Sequence, residues 1–284
     1  MNSEREIIIA PNRRWAYIPW RELWEYRDLL KVMVQRDFTT KYKQTVLGRM
    51  WFALAPLMTT IVFTIFLGKI AKIPTDGLPP LLFYFCNNVV WGYFSNCLVA
   101  TSSTFVSHVD LFGKVYFPRL IVPLSKAVAR LVAFIPQALL FAAFWIYYNF
   151  FTPVGERLTI SPAVMTLPLL VVLMAAWGVG VGLWISVFTA KYRDIVFIMG
   201  FLTQLWMFAT PGIVYPLSMV PQRWRWVVGV NPMSAIAEAF RYALLGAGTV
   251  EWRALIFAGV GAVFVLLSGV LLFNRTERSF IDTV

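Results

Sequence analysis

Apolar positions along this chain gather into six long runs, at about 50–68, 81–104, 120–150, 163–189, 195–215 and 254–273. A helix needs about 20 apolar residues to cross a hydrocarbon core about 30 Å thick. The pattern therefore predicts an all-α integral membrane protein with six transmembrane helices. The third run is long enough to begin as an interfacial segment. Pro56, Pro123, Pro136, Pro168 and Pro211 fall inside the runs, where they predict local kinks. Neighbouring helices satisfy the carbonyls that such kinks free.

Three segments neither span nor read as plain loops. Between 20 and 38, Trp20, Leu23, Leu30, Val34 and Phe38 recur at helical spacing opposite Arg21, Glu25, Asp28, Lys31 and Gln35. That is an amphipathic helix expected to lie along the membrane surface, as an anchor or as a docking platform. The connection 105–117 mixes Phe105, Val106, Val109, Leu111, Phe112, Val115, Tyr116 and Phe117 with His108, Asp110 and Lys114. Its apolar side suits either a partner's groove or the lipid headgroups. The third segment, 216–252, contains Asn231–Pro232, an N-cap followed by proline at the first helical position. A helix from there runs to Leu245, and Gly246 suits its end. It is short for a crossing, and Glu238 and Arg241 stand three apart on one face, so the pair must face water or protein. A short re-entrant or surface helix fits, as a gate or a structural cap. The chain thus divides into an N-terminal segment 1–49, a membrane domain 50–273 and a tail 274–284.

Composition agrees with a bilayer setting. The 284 residues are 59% hydrophobic and only 14% charged, against about 25% charged in soluble domains. The net charge of +11 does not point to nucleic acid, because ten of the 25 basic residues precede Trp51 and no nucleic-acid-binding module accompanies them. With the N-terminus inside, 16 basic residues fall on the inner side and 7 on the outer. That bias predicts cytoplasmic N- and C-termini. Lys126 and Arg130 are left at the start of the third run. Cys86 and Cys97 are eleven positions apart on one predicted helix, about 16 Å, too far to bridge. One histidine, His108, offers no metal site. The first apolar stretch is too short for a signal peptide.

Several blocks carry a family resemblance. Arg36–Asp37–Phe38, then Tyr42–Lys43–Gln44–Thr45–Val46–Leu47–Gly48, Trp51 and Pro56 resemble the approach to the first span of polysaccharide-exporting ABC-transporter permeases of the ABC-2 class. The likeness is to the membrane subunit of O-antigen exporters and its teichoic-acid and capsule relatives. Tyr192–Arg193–Asp194, Pro211 through Tyr215 and Asn231–Pro232 follow in order. The resemblance implies a homodimer in a bacterial inner membrane, a translocation path between the copies, and a separate cytoplasmic nucleotide-binding subunit. This chain lacks the G-x-x-x-x-G-K-[ST] loop that cradles phosphates, so ATP and Mg would be bound by the partner, and no cofactor or catalytic site is expected here. The resemblance also implies that 20–38 is an interface helix, 105–117 a coupling helix, and 221–228 and 232–245 outer gate helices. Arg36, Asp37, Asp110, Phe112, Lys114 and Tyr116 then become candidate contacts for the ATPase subunit, and Asn231, Pro232, Glu238 and Arg241 candidate gate residues.

A lipid-linked sugar chain sliding through such a path would stack on aromatic faces. Trp51, Phe52, Phe63, Phe66, Trp206, Phe208 and Tyr215 are candidates to line it, although interfacial Trp and Tyr also serve as membrane belts. Three rival functions remain open on sequence: an ABC-2 permease for another polymer, a lipid or a drug; a membrane enzyme acting on lipid-linked sugars; and a simple channel. Asp37, Asp110 and Asp194 lie in separate segments, without the paired arrangement an enzyme needs.

Overall fold

The computed structural model describes residues 20–42, 45–107, 117–153 and 158–281. The N-terminal amphipathic segment forms α1 (Trp20–Glu25) and α2 (Arg27–Tyr42). The backbone ladder continues through the turn between them, with Tyr26 N donating to Glu22 O and Leu30 N to Tyr26 O. Next come α3 (Trp51–Phe63), α4 (Pro80–Ser102), the short α5 (Thr104–Ser107), α6 (Ile121–Phe151) and α7 (Leu167–Lys191). The chain finishes with α8 (Ile195–Phe208), α9 (Arg225–Val230), α10 (Pro232–Leu245) and α11 (Trp252–Ile281). Past Phe63 the α3 backbone widens into a π-helical stretch, Thr64–Ile70, whose end is marked by Ala71 N donating to Phe66 O five residues back at 2.8 Å.

Helix α4 is the centre of the bundle. Every residue from Leu82 to Trp91 is buried, and α3, α6, α7, α8 and α10 all pack against it. Close approach of α7 depends on glycines. A Cβ on Gly182 would lie 2.6 Å from Thr101 Cβ and 2.9 Å from Leu98 O, and one on Gly178 would lie 2.8 Å from Cys97 Cβ. Gly180 points the other way, where a Cβ would come within 2.9 Å of Leu266 N on α11. Small residues on two sides of one helix let two backbones approach it at once, the means by which membrane helices gain packing without a hydrophobic drive. Cys86 and Cys97 are both buried and unbridged.

Among the described residues, four helical stretches are long and apolar enough to cross a membrane: Gly48–Ile70, Ile121–Phe151, Pro162–Lys191 and Trp252–Thr276. Six were expected. The second expected run is helical as α4 and has the length, but its amides Asn87, Asn88 and Asn96 dilute its apolar character. Protein surrounds it, so it has less need of a lipid-compatible surface. The fifth run is helical only as α8, whose 14 residues reach only about 21 Å. Its helix ends at Phe208 and not near Tyr215, since Pro211 follows and cannot continue the ladder. The buried stretch Thr210–Val214 turns instead, with Gly212 at φ +90° and its N–H donating to Tyr215 O at 2.7 Å. Irregular backbone in a membrane protein is stable only where protein or water meets it, and here protein buries it.

The N-terminal helix is anchored to one end of the bundle. Met33, 3% exposed, packs with Phe105, Phe117, Ile121, Leu183 and Phe273, while Leu23, Tyr26, Leu29 and Leu30 flank that cluster. Phe105 stacks on Phe273 at 4.6 Å between ring centroids. Phe105 and Phe117 therefore belong to the core and leave the apolar docking surface expected over 105–117, whose middle portion lies outside the described residues.

Candidate functional site

A groove of about 330 Å³ opens between α3, α4 and α6. The sequence explains its character. Asn88, Gly92 and Asn96 repeat every four positions, so they share one face of α4. Arg130 and Gln137 are seven apart on α6 and likewise share a face. Trp51 and Thr59 close the groove from α3, and Trp91 adds a ring at its base. Asn88 Nδ2 donates to Thr60 Oγ1 at 3.0 Å, and Thr60 Oγ1 donates to Pro56 O at 2.8 Å, tying α4 to α3. Asn96 Nδ2 donates to Gly92 O at 2.6 Å. Ring faces, amides and one guanidinium along one cleft can hold a polar chain that carries hydroxyl groups, and they contain no nucleophile with an adjacent base.

The N-terminal helix is connected to this groove by the residues of the motif block. Asp37 on α2 accepts an ion-pair hydrogen bond from Lys126 Nζ on α6, with both side chains largely shielded. Phe38 stacks on Phe52 with centroids 4.6 Å apart, and the Arg49 guanidinium lies 5.4 Å from the Phe38 ring. Arg36 is half exposed and 4.0 Å from Asp37. Asp37, expected to face an ATPase, therefore meets its partner within the chain, and Arg36 stays at the surface. The other four candidate contacts, Asp110, Phe112, Lys114 and Tyr116, lie outside the described residues. On the water-facing side of α2, the Lys31 ammonium hydrogen-bonded to Asp28 holds that carboxyl below the usual range.

At the opposite end of the bundle, α10 is capped as the sequence requires. Asn231 Oδ1 accepts from Met233 N at 3.2 Å, Pro232 opens the helix, and Gly246 closes it at φ +66°. Glu238 and Arg241 face protein. Arg241 is fully buried and donates to Glu238, to Asp76 Oδ2 at 3.4 Å and to Gly212 O at 3.4 Å. Its guanidinium also lies 4.8 Å from the Phe83 ring centroid. Glu238 in turn accepts from Leu217 N at 3.1 Å, and Asp76 from Ser218 Oγ at 2.7 Å. Asn231 Nδ2 donates to Thr210 Oγ1 at 2.9 Å. The four residues Asn231, Pro232, Glu238 and Arg241 thus sit in one cross-tied cap joining α10, the turn after α8 and the loop after α3.

The seven aromatics expected to line a path do not share one surface. Trp51 and Phe52 join the groove. Trp206 packs edge-on against Trp91 and Phe94, and Phe63 edge-on against Tyr84. Phe66 and Phe208 point outward and Tyr215 is half-buried. The polar residues of the groove were missed, although the four-residue spacing of Asn88 and Asn96 inside an apolar run was a readable signal.

The model of the ABC-2 type transporter family matches residues 28–245. The chain is similar to the O-antigen export system permease protein of Myxococcus xanthus, 24% identical over 266 residues that cover 93% of this chain and 98% of the relative. It is also similar to an O-antigen export system permease protein of Klebsiella pneumoniae, 20% identical over 255 residues covering 90% and 94%. These likenesses mark a multi-pass membrane protein with a transport role. A match running through most of the membrane bundle shows that the chain belongs to the ABC-2 type transporter family.

Proposed function

We propose that this chain is the permease subunit of an ATP-driven exporter that moves a lipid-linked polysaccharide of O-antigen type across a bacterial inner membrane. The observation that carries the reading is the end-to-end similarity to two O-antigen export permeases from distant organisms. In this reading α4 and α8 cross the membrane with the four longer spans, both termini are cytoplasmic, and two copies enclose the path. The apolar residues that α8 leaves exposed, Phe197, Phe201 and Phe208, together with the outward side of α3, supply surface for that pairing. A cytoplasmic ATPase subunit binds ATP and Mg and docks at the end of the bundle carrying α1 and α2.

Closure of the ATPase pair pushes on α2, and the Asp37–Lys126 and Phe38–Phe52 contacts pass that displacement to α6 and α3, the walls of the groove. A packed bundle transmits it as rigid-body movement. Teichoic-acid, capsule, lipid and drug permeases share the same architecture, and the sugar class rests on the motif block and the relatives. Affinity purification of the tagged chain from its native host tests the reading. An ABC ATPase should co-purify, and its hydrolysis should rise when lipid-linked glycan is added. Purification without an ATPase, or hydrolysis indifferent to the glycan, contradicts it.

A further inference from the structure

We propose that Arg130 is the receptor for the lipid phosphate of the exported sugar-carrying lipid; this deepens the export reading above and rests on it. Two cations sit one turn apart near the start of α6. Lys126 is neutralised by Asp37. Arg130 has no such carboxylate among the described residues, and its Nε is shielded from solvent without a hydrogen-bond partner. A guanidinium within a membrane helix is costly unless an anion or water meets it, and its planar fork matches phosphate oxygens in bidentate fashion.

The position of Arg130 fits that occupant. The Asp37–Lys126 pair holds the amphipathic α2, which marks the level of the headgroups. Arg130 lies four residues further along α6, about 6 Å deeper, where the phosphate of a lipid entering sideways comes to rest. The same groove offers Phe134 and Met207 as apolar wall for an acyl or prenyl tail. Asn96, Gln137 and the Trp51 ring offer hydrogen bonds and a stacking face for the first sugar. Charge, depth and the two-sided character of the groove select a glycosylated lipid phosphate over an ordinary phospholipid, which has no use for the amide and indole side.

The test uses the full chain in a non-ionic polyoxyethylene detergent free of phosphate, with binding read by tryptophan fluorescence. The probes are dodecyl phosphate esterified to glucose, uncharged dodecyl glucoside and phosphatidylglycerol. Wild-type protein should bind the glycosylated phosphate at least tenfold more tightly than the glucoside and more tightly than phosphatidylglycerol. Arg130→Gln should abolish the preference for phosphate, and Arg130→Lys should keep part of it. Equal affinity of wild type for the phosphate and the glucoside overturns the proposal without any variant, as does an unchanged preference in a folded Arg130→Gln protein. Phosphatidylglycerol binding as tightly as the glycosylated probe assigns the groove to bulk phospholipid and overturns it too. Failure of export itself is read separately, by surface sugar in cells, and does not move these affinities.

Discussion

Lys126 on α6 ion-pairs with Asp37 on α2 across 89 positions of chain, and this contact turns an amphipathic appendage into part of the membrane bundle. Both side chains are largely removed from water. Stranding either charge costs at least as much as an unpaired neutral group, about 1–3 kcal/mol. Asp37→Asn and Lys126→Met should each lower export several-fold while the protein still inserts, and the exchange Asp37→Lys with Lys126→Asp should recover most of it. Export assayed in membranes matched for protein level provides the check. Independent, additive losses in the double exchange would show that the pair is incidental.

The cap at the opposite end rests on Arg241. Removing one partner of a buried ion pair costs about 3–5 kcal/mol because the other charge is left uncompensated. Arg241→Met should leave Glu238 stranded and sharply lower the thermal midpoint of the purified protein. Glu238→Gln should be milder, since an amide still accepts from Leu217 N. A midpoint unchanged in Arg241→Met would mean that the cluster contributes nothing to the fold.

Packing of α7 on α4 makes a steric prediction. Gly182→Leu would force side-chain atoms into Thr101 and the Leu98 carbonyl. Overpacking of this kind costs about 1–3 kcal/mol and here acts on backbone, which yields little. Membrane abundance of Gly182→Leu should fall well below wild type, whereas Gly200→Ala on α8, with nothing within 4 Å, should leave it unchanged. Equal abundance of the two would contradict the close approach.

Trp51 and Trp206 separate a groove residue from a ring packed against neighbouring aromatics. Trp51 lies on the groove, 40% exposed, so Trp51→Ala should reduce export without lowering abundance. Trp206 is half-buried and packs edge-on against Trp91 and Phe94; a fully buried ring would cost about 3–5 kcal/mol to remove, and this one a part of that. Trp206→Ala should therefore lower abundance first. Quantitative immunoblotting beside the export assay distinguishes the two outcomes.

Much of this architecture was legible from local signals. Asn231, Pro232 and Gly246 set the limits of α10 because capping depends on neighbours a few residues apart. The four strong spans were legible because lipid demands length and apolarity from each helix alone. What the sequence hid is non-local. Asp76 joins Glu238 and Arg241 from far along the chain, and Lys126 finds Asp37 the same way. The amides of α4 vanished into a window average, although their spacing marks one face. The fifth run was read too long because an apolar stretch looks the same whether it is helical or, as at Thr210–Val214, folded into a covered turn.

The central claim is ATP-driven export of a lipid-linked sugar polymer, and inverted inner-membrane vesicles test it most directly. Vesicles holding this chain and its co-purifying ATPase should accumulate radiolabelled lipid-linked glycan in their lumen when ATP is supplied, and should stop when either protein is omitted. Accumulation that persists without the ATPase, or none with both proteins and ATP present, would contradict the account.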